Sequence, residues 1–168
     1  MPTETYGNTE FLDYVSITCK DRGNRAALRR YWSETARHQS YPVLGKLGAL
    51  QDERKTILAV LYAEHPAHRP GFGVGRAALA LGKRSKEGEH PYDRQFQRLL
   101  ACDTLEDLGD QLHRLVKRLD RESIGLDYQK LHKKLNFWKN YSEGVKVEWA
   151  AEFWQAPLPE NESTEASA

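Results

Sequence analysis

Cysteine is scarce in this chain: Cys19 and Cys102 stand far apart, with no Cys-x-x-Cys pair. That argues against a disulfide framework or a cysteine-built zinc site and predicts two buried free thiols. Long apolar runs are missing too. No stretch approaches the roughly 18 consecutive apolar residues needed to cross a bilayer, so no membrane partner is expected. The opening MPTETYGNTE has neither the charged nor the apolar region of a secretion signal, which predicts a cytoplasmic protein. Both ends lack basic residues. Residues 1–13 hold Glu4, Glu10 and Asp13, and residues 156–168 hold Glu160, Glu162 and Glu165, with no Lys or Arg in either segment. Removing those six from 24 acids leaves 18 against all 25 bases, so a formal net charge of +1 hides a body of about +7 over residues 14–155. Such a body favours a polyanionic partner.

Catalytic signatures are also wanting. GVGRAA, Gly73 to Ala78, fits G-x-G-x-x-A and opens a helix, but the strand that a dinucleotide site needs before it is absent, so a loop joining two helices is the reading. LGKRS has no glycine five positions upstream of its Gly-Lys pair and no Ser or Thr directly after its lysine, and is not a phosphate-binding loop. Glu64, His65 and His68 lie close together, but Pro66 bends the chain between the histidines and no further cluster follows. No metal, cofactor or enzymatic activity is expected.

What the sequence does have is helical periodicity. In DTLEDLGDQLHRLVKRLDRE, Asp103 to Glu122, Leu105, Leu108, Leu112, Leu115 and Leu119 recur at steps of three and four beside Val116. Asp103 is the expected cap, with Glu106 three residues on, and the rest of the chain is read as helices packed around this element. Its outer face changes from Glu106, Asp107 and Asp110 to Arg114, Lys117, Arg118 and Arg121, which suits the helix dipole or makes a basic binding face.

Further helices are predicted along the chain. One starts near Thr9 and buries Phe11, Leu12, Val15 and Cys19; a second, capped by Asn24, turns Leu28, Tyr31 and Trp32 inward, with Arg22, Arg25 and Arg29 beside them and Arg30 beyond. YPVLGKLGAL suits a short interrupted helix. Asp52 or Gln51 opens the next, which carries Arg54, Ile57, Leu58, Leu61 and Tyr62 and stops at His65-Pro66. A glycine-rich loop leads into RAALAL with Arg76, and a basic loop with Lys83 and Arg84 follows. Pro91 at a first helical position opens PYDRQFQRLLAC, where Phe96, Leu99 and Leu100 point inward and Arg94 and Arg98 share another face. Asp127 caps DYQKLHKKLNFWKNY, with Tyr128, Leu131, Leu135 and Trp138 inward and Lys130, Lys133 and Lys134 opposite. GVKVEWAAEFW is read as a closing helix burying Val147, Ala150, Ala151 and Trp154. The four tryptophans, all on or beside apolar stripes, are expected to pack the core rather than stack on bases. Residues 156–168 have the composition of a disordered acidic tail.

The succession RAALRRYWSE, GVGRAALAL, DRQFQRLLACDTLEDLGDQLHRLVKRL, LDYQKLHKKLNFW and VKVEWAAEFW resembles the CasB family, the small subunit of the type I-E CRISPR effector complex Cascade, over about residues 11–155. The resemblance implies an all-α fold, with a flexible N-terminus (1–10), a small N-terminal helical lobe (11–90) and a C-terminal four-helix bundle (91–155). It implies a non-catalytic role beside other Cascade subunits, the guide RNA and a second copy of the chain, holding target DNA and the displaced strand of the R-loop. Carried over motif by motif, Arg25, Arg29, Arg30, Arg76, Arg94 and Arg98 become the first candidates for phosphate contacts, with Arg54 beside them. Arg22, Lys83, Arg84, Arg114, Lys117, Arg118, Arg121, Lys130, Lys133 and Lys134 complete the basic set, some of which could instead pair with acids between lobes or subunits. Two other classes stay open: a stand-alone helical DNA-binding regulator, and a small metal-dependent helical hydrolase built on Glu64, His65 and His68.

Overall fold

The computed structural model describes residues 3–155, with side chains from Glu10 onward; the expected disordered tail, 156–168, lies outside the described residues. Among the described residues there are eight α-helices and no strand: α1 Thr3–Thr18, α2 Arg22–Arg29, α3 Tyr41–Lys46, α4 Glu53–Glu64, α5 Val74–Leu79, α6 Asp93–Leu100, α7 Leu105–Glu122 and α8 Tyr128–Trp154. Two 3₁₀ turns, Arg30–Trp32 and Arg37–Ser40, join α2 to α3. The fold is all-α, as the apolar stripes predict.

The centre is α4 rather than α7. Thr56 to Ala63, TILAVLYA, are all buried, and α1, α2, α7 and α8 pack around them. A helix apolar on every side belongs inside a core, and this run of eight carries no charge. The leucine stripe of α7 behaves as its spacing requires: Leu108, Leu112, Leu115, Val116 and Leu119 are buried, and Gly109 lets Ile57 of α4 come close.

Capping follows side-chain chemistry, with shifts of register. The Asp52 carboxylate accepts from the Arg54 and Lys55 amides, and Asp127 accepts from Lys130. Asp21, not Asn24, caps α2, accepting from the Asn24 amide at 2.9 Å. Thr104, not Asp103, caps α7, accepting from the Asp107 amide at 3.1 Å. Pro91 precedes α6 instead of opening it, and Tyr92 holds the cap position. α1 begins at Thr3, ahead of the expected Thr9, and so runs into the segment assigned to a flexible N-terminus.

α8 reverses direction. Tyr141, at φ −148° and ψ 39°, leaves helical geometry and divides it into two arms. Lys130 Nζ meets Glu152 Oε2 at 3.2 Å, and Lys134 Nζ meets Glu148 Oε2 at 2.7 Å. In an unbroken helix, residues 22 apart would be separated by about 33 Å along the axis, so the arms must fold back on one another. Trp138 and Trp149 stack between them, centroids 5.9 Å apart. The second arm buries Val145, Trp149 and Phe153, while Val147 and Trp154 are exposed, which corrects the face expected for the closing helix. Phe153 stacks on Phe96 of α6, and the Trp154 indole donates to Asp93 at 3.0 Å.

Candidate nucleic-acid interface

The basic residues divide by what they touch. On α2, the Arg25 Nε donates to the Ala63 carbonyl at the end of α4 at 2.7 Å, and Arg29 pairs with Glu64 at 3.2 Å. Glu64 also meets His113 of α7 at 3.1 Å, and that hydrogen bond, then Arg29, holds its carboxyl below the ordinary range against the opposing effect of burial. The His113 ring lies parallel to Trp32 at 4.0 Å. Arg29 therefore belongs to a joint between α2, α4 and α7. Arg54 pairs with its own helix cap, Asp52, at 3.3 Å. Arg22 and Arg30 are exposed and have no carboxylate partner among the described residues.

The segment GVGRAA is a packing device. The Gly75 amide donates to Glu152 Oε1 at 3.0 Å, so a carboxylate from α8 already sits where an anion would bind. Lys130 neutralises that carboxylate, and a Cβ on Gly75 would run into the Trp149 carbonyl and the Glu152 side chain. Arg76 is exposed over the Phe72 ring at 4.8 Å, with Arg69, outside the predicted set, at 3.7 Å from the same ring. Arg69 sits in the glycine-rich loop, where periodicity gives no signal for it. Lys83 is exposed, whereas Arg84 reaches the carbonyls of Phe153 and Gly88 and approaches Asp93 at 3.6 Å. Arg84 ties the loop to the second arm of α8 and to α6.

The pair α6 and α7 presents cations differently. Phe96 and Leu99 point inward, so Arg94 and Arg98, one turn apart, point to solvent without a carboxylate partner among the described residues. On α7, Arg114, Lys117 and Arg121 are exposed in the same way. The Arg118 guanidinium lies 5.7 Å from the Tyr92 ring. Burial pushes the Tyr92 phenol up in pKa, and Arg118 and Arg114 oppose that rise. The chain turns back between Leu100 and Leu105, bringing the start of α6 level with Arg114 and Arg118. Of the three basic faces predicted on α2, α7 and α8, the last is split, since Lys130 and Lys134 turn towards the second arm of α8 and only Lys133 stays exposed.

The histidines near Glu64 have other duties. His65 is buried between Asp120 Oδ1 at 2.9 Å and the Ile124 carbonyl at 2.6 Å. His68 Nδ1 accepts from the Tyr128 amide at 3.1 Å, at the one backbone bridge among the described residues, His68 to Leu126. Both rings secure the connection between α7 and α8. Both cysteines are buried, and burial pushes the Cys19 thiol up to about 11, so it stays protonated.

Residues 24–154 match the model of the family of CRISPR-associated protein Cse2. The chain belongs to the Cse2 family. Among solved structures, a Cse2-family CRISPR-associated protein from Thermus thermophilus is similar with a TM-score of 0.70 at 24% identity, covering 89% of this chain and 98% of that one. CasB from Thermobifida fusca is similar with a TM-score of 0.68 at 22% identity, covering 87% and 96%. A chain of a CRISPR RNA-guided surveillance complex is similar at 0.68 and 21% identity, covering 95% and 96%. At these identities the likeness concerns the fold. No curated protein matches the chain. The Cse2 match spans all of the helices from α3 to α8 and most of α2, and so includes every cation of α6 and α7 discussed above.

Proposed function

We propose that this Cse2-family chain is a non-catalytic small subunit of a type I-E CRISPR RNA-guided surveillance complex, Cascade, in the cytoplasm. There it packs beside other Cascade subunits, the guide RNA and a second copy of itself, and holds the backbone of target DNA and of the displaced strand. Residues 11–90 act as the N-terminal lobe and 91–155 as the bundle. The observation that carries this reading is the set of cations on α6 and α7 that the protein leaves unneutralised: Arg94, Arg98, Arg114, Lys117 and Arg121. Arg22, Arg30, Arg76, Lys83 and Lys133 are the other exposed members of the set without a carboxylate partner among the described residues. Arg25, Arg29, Arg54, Arg84, Lys130 and Lys134 are committed to internal partners and serve chiefly to hold helices together.

A strand of arbitrary sequence must be held through its phosphates, because reading bases would restrict which targets could open. Guide pairing supplies the specificity. The strand exchange is nearly balanced, so a few charge contacts are enough to shift it. Free in solution, the subunit binds DNA with a dissociation constant of roughly micromolar or weaker, as non-specific binding does. Within the complex the same contacts act at a high effective concentration. The test replaces Arg94 and Arg98 together with alanine, confirms assembly, and measures target binding by the reconstituted complex at two salt concentrations. Weaker binding, with a log–log salt slope shallower by about 0.7 per lost single-strand contact, is expected. An unchanged affinity and slope would show these arginines to be a solvated face.

A further inference from the structure

The reversal of α8 carries a surface feature that the arginine face does not explain. Residues 128–142 contain four lysines and no Asp or Glu. Two of the lysines, Lys130 and Lys134, are neutralised by the second arm. The other two, Lys133 and Lys139, are exposed with no carboxylate partner among the described residues. Lys133 and Phe137 are one helical turn apart on the outward stripe, with Gln129 and Asn140 beside them. Phe137 is 51% exposed although its neighbour Trp138 is 2% exposed, so the core side of this turn is already filled. Tyr141, at the reversal, is 65% exposed. Its ring lies over Gly144, where a Cβ would collide with it, so one face is laid against the second arm while much of the ring remains open. Glu143, just past the reversal, is the nearest acid in sequence.

Two open rings about one turn apart, flanked by unpaired lysines, have the composition of a single-strand binding ledge. Aromatic faces take bases of any identity, and ammonium groups take the phosphates between them. A duplex keeps its base faces stacked and gives the rings nothing to bind. We propose that Phe137 and Tyr141 stack unpaired bases of single-stranded nucleic acid, while Lys133 and Lys139 hold its phosphates. This ledge rests on the reading of the chain as a nucleic-acid-holding subunit, but it uses residues separate from the α6–α7 arginines and a different kind of contact.

The experiment measures fluorescence anisotropy of a labelled single strand of about 15 nucleotides, in the usual range of site sizes, and of the corresponding duplex, against the full chain. The double variant Phe137→Ala, Tyr141→Ala should weaken single-strand binding by about tenfold or more and leave duplex binding and the salt slope unchanged. The variant Lys133→Ala, Lys139→Ala should reduce the slope by about 0.7 per lysine. Phe137→Trp should retain single-strand binding, which separates loss of stacking from loss of fold, as does thermal melting of each variant. Single-strand binding equal to wild type in the aromatic double variant overturns the ledge. If the Arg94/Arg98 variant still weakens target binding in that case, the proposed function stands without it. Normal single-strand binding combined with failed assembly would make the ledge a protein contact and also overturn the inference.

Discussion

Glu64 shows how a residue that looked like a metal-ligand candidate becomes a structural joint. Its two oxygens meet Arg29 and His113, linking α2, α4 and α7 at one point. Because its folded pKa is depressed below 4.5, its contribution is fully present above that value and is lost as pH falls through the folded pKa. Glu64→Gln should therefore lower stability at neutral pH by about 1–2 kcal/mol and flatten the acid limb of the stability profile. Urea unfolding between neutral pH and the acid range checks this, and parallel acid limbs in variant and wild type would contradict it. The sequence put Glu64 beside His65 and His68, but its partners come from elements 35 and 49 residues away, which local spacing does not reveal.

At the scale of elements, α5 and α8 show what was legible and what was not. Local rules located the helices and many buried stripes, because burial and backbone capping act over three or four residues. They slipped where two side chains of similar chemistry compete, as Asp103 does with Thr104 and Asn24 with Asp21. They chose the wrong face for the second arm of α8 because the reversal at Tyr141 resets the phase, and apolar residues such as Val145 and Val147 lie on opposite sides. The same reversal hid which lysines are neutralised, since Glu148 and Glu152 approach them only once the arms fold back. Gly75 is where this packing is tightest. Gly75→Ala would force α5 away from the Trp149 carbonyl and from the Glu152 Cβ, 2.6 Å from the added methyl. A loss of about 1–3 kcal/mol in urea unfolding is expected, with the helical circular dichroism signal retained. Stability equal to wild type would mean the two elements can separate freely.

Over the whole molecule, charge and connectivity are distributed unevenly. The acids of residues 1–13 and 156–168 bring a basic body back to a formal net charge of +1, so net charge says little about the local field over α6 and α7. Connectivity has a consequence in time. The arms of α8 are joined through a single non-helical residue, so pairing them closes almost no loop, whereas Phe11 of α1 reaches the His132 ring from the far end of the chain. The α8 hairpin should therefore be structured in the folding transition state, with α1 docking afterwards. Trp149→Phe should slow folding, while Val15→Ala should leave the folding rate nearly unchanged and speed unfolding. Stopped-flow folding and unfolding rates across a urea series test the order, and the opposite assignment would place α1 in the nucleus. On this order, α8, although synthesised after the other described helices, is the first to take its shape, and the earlier-made α1 waits for it.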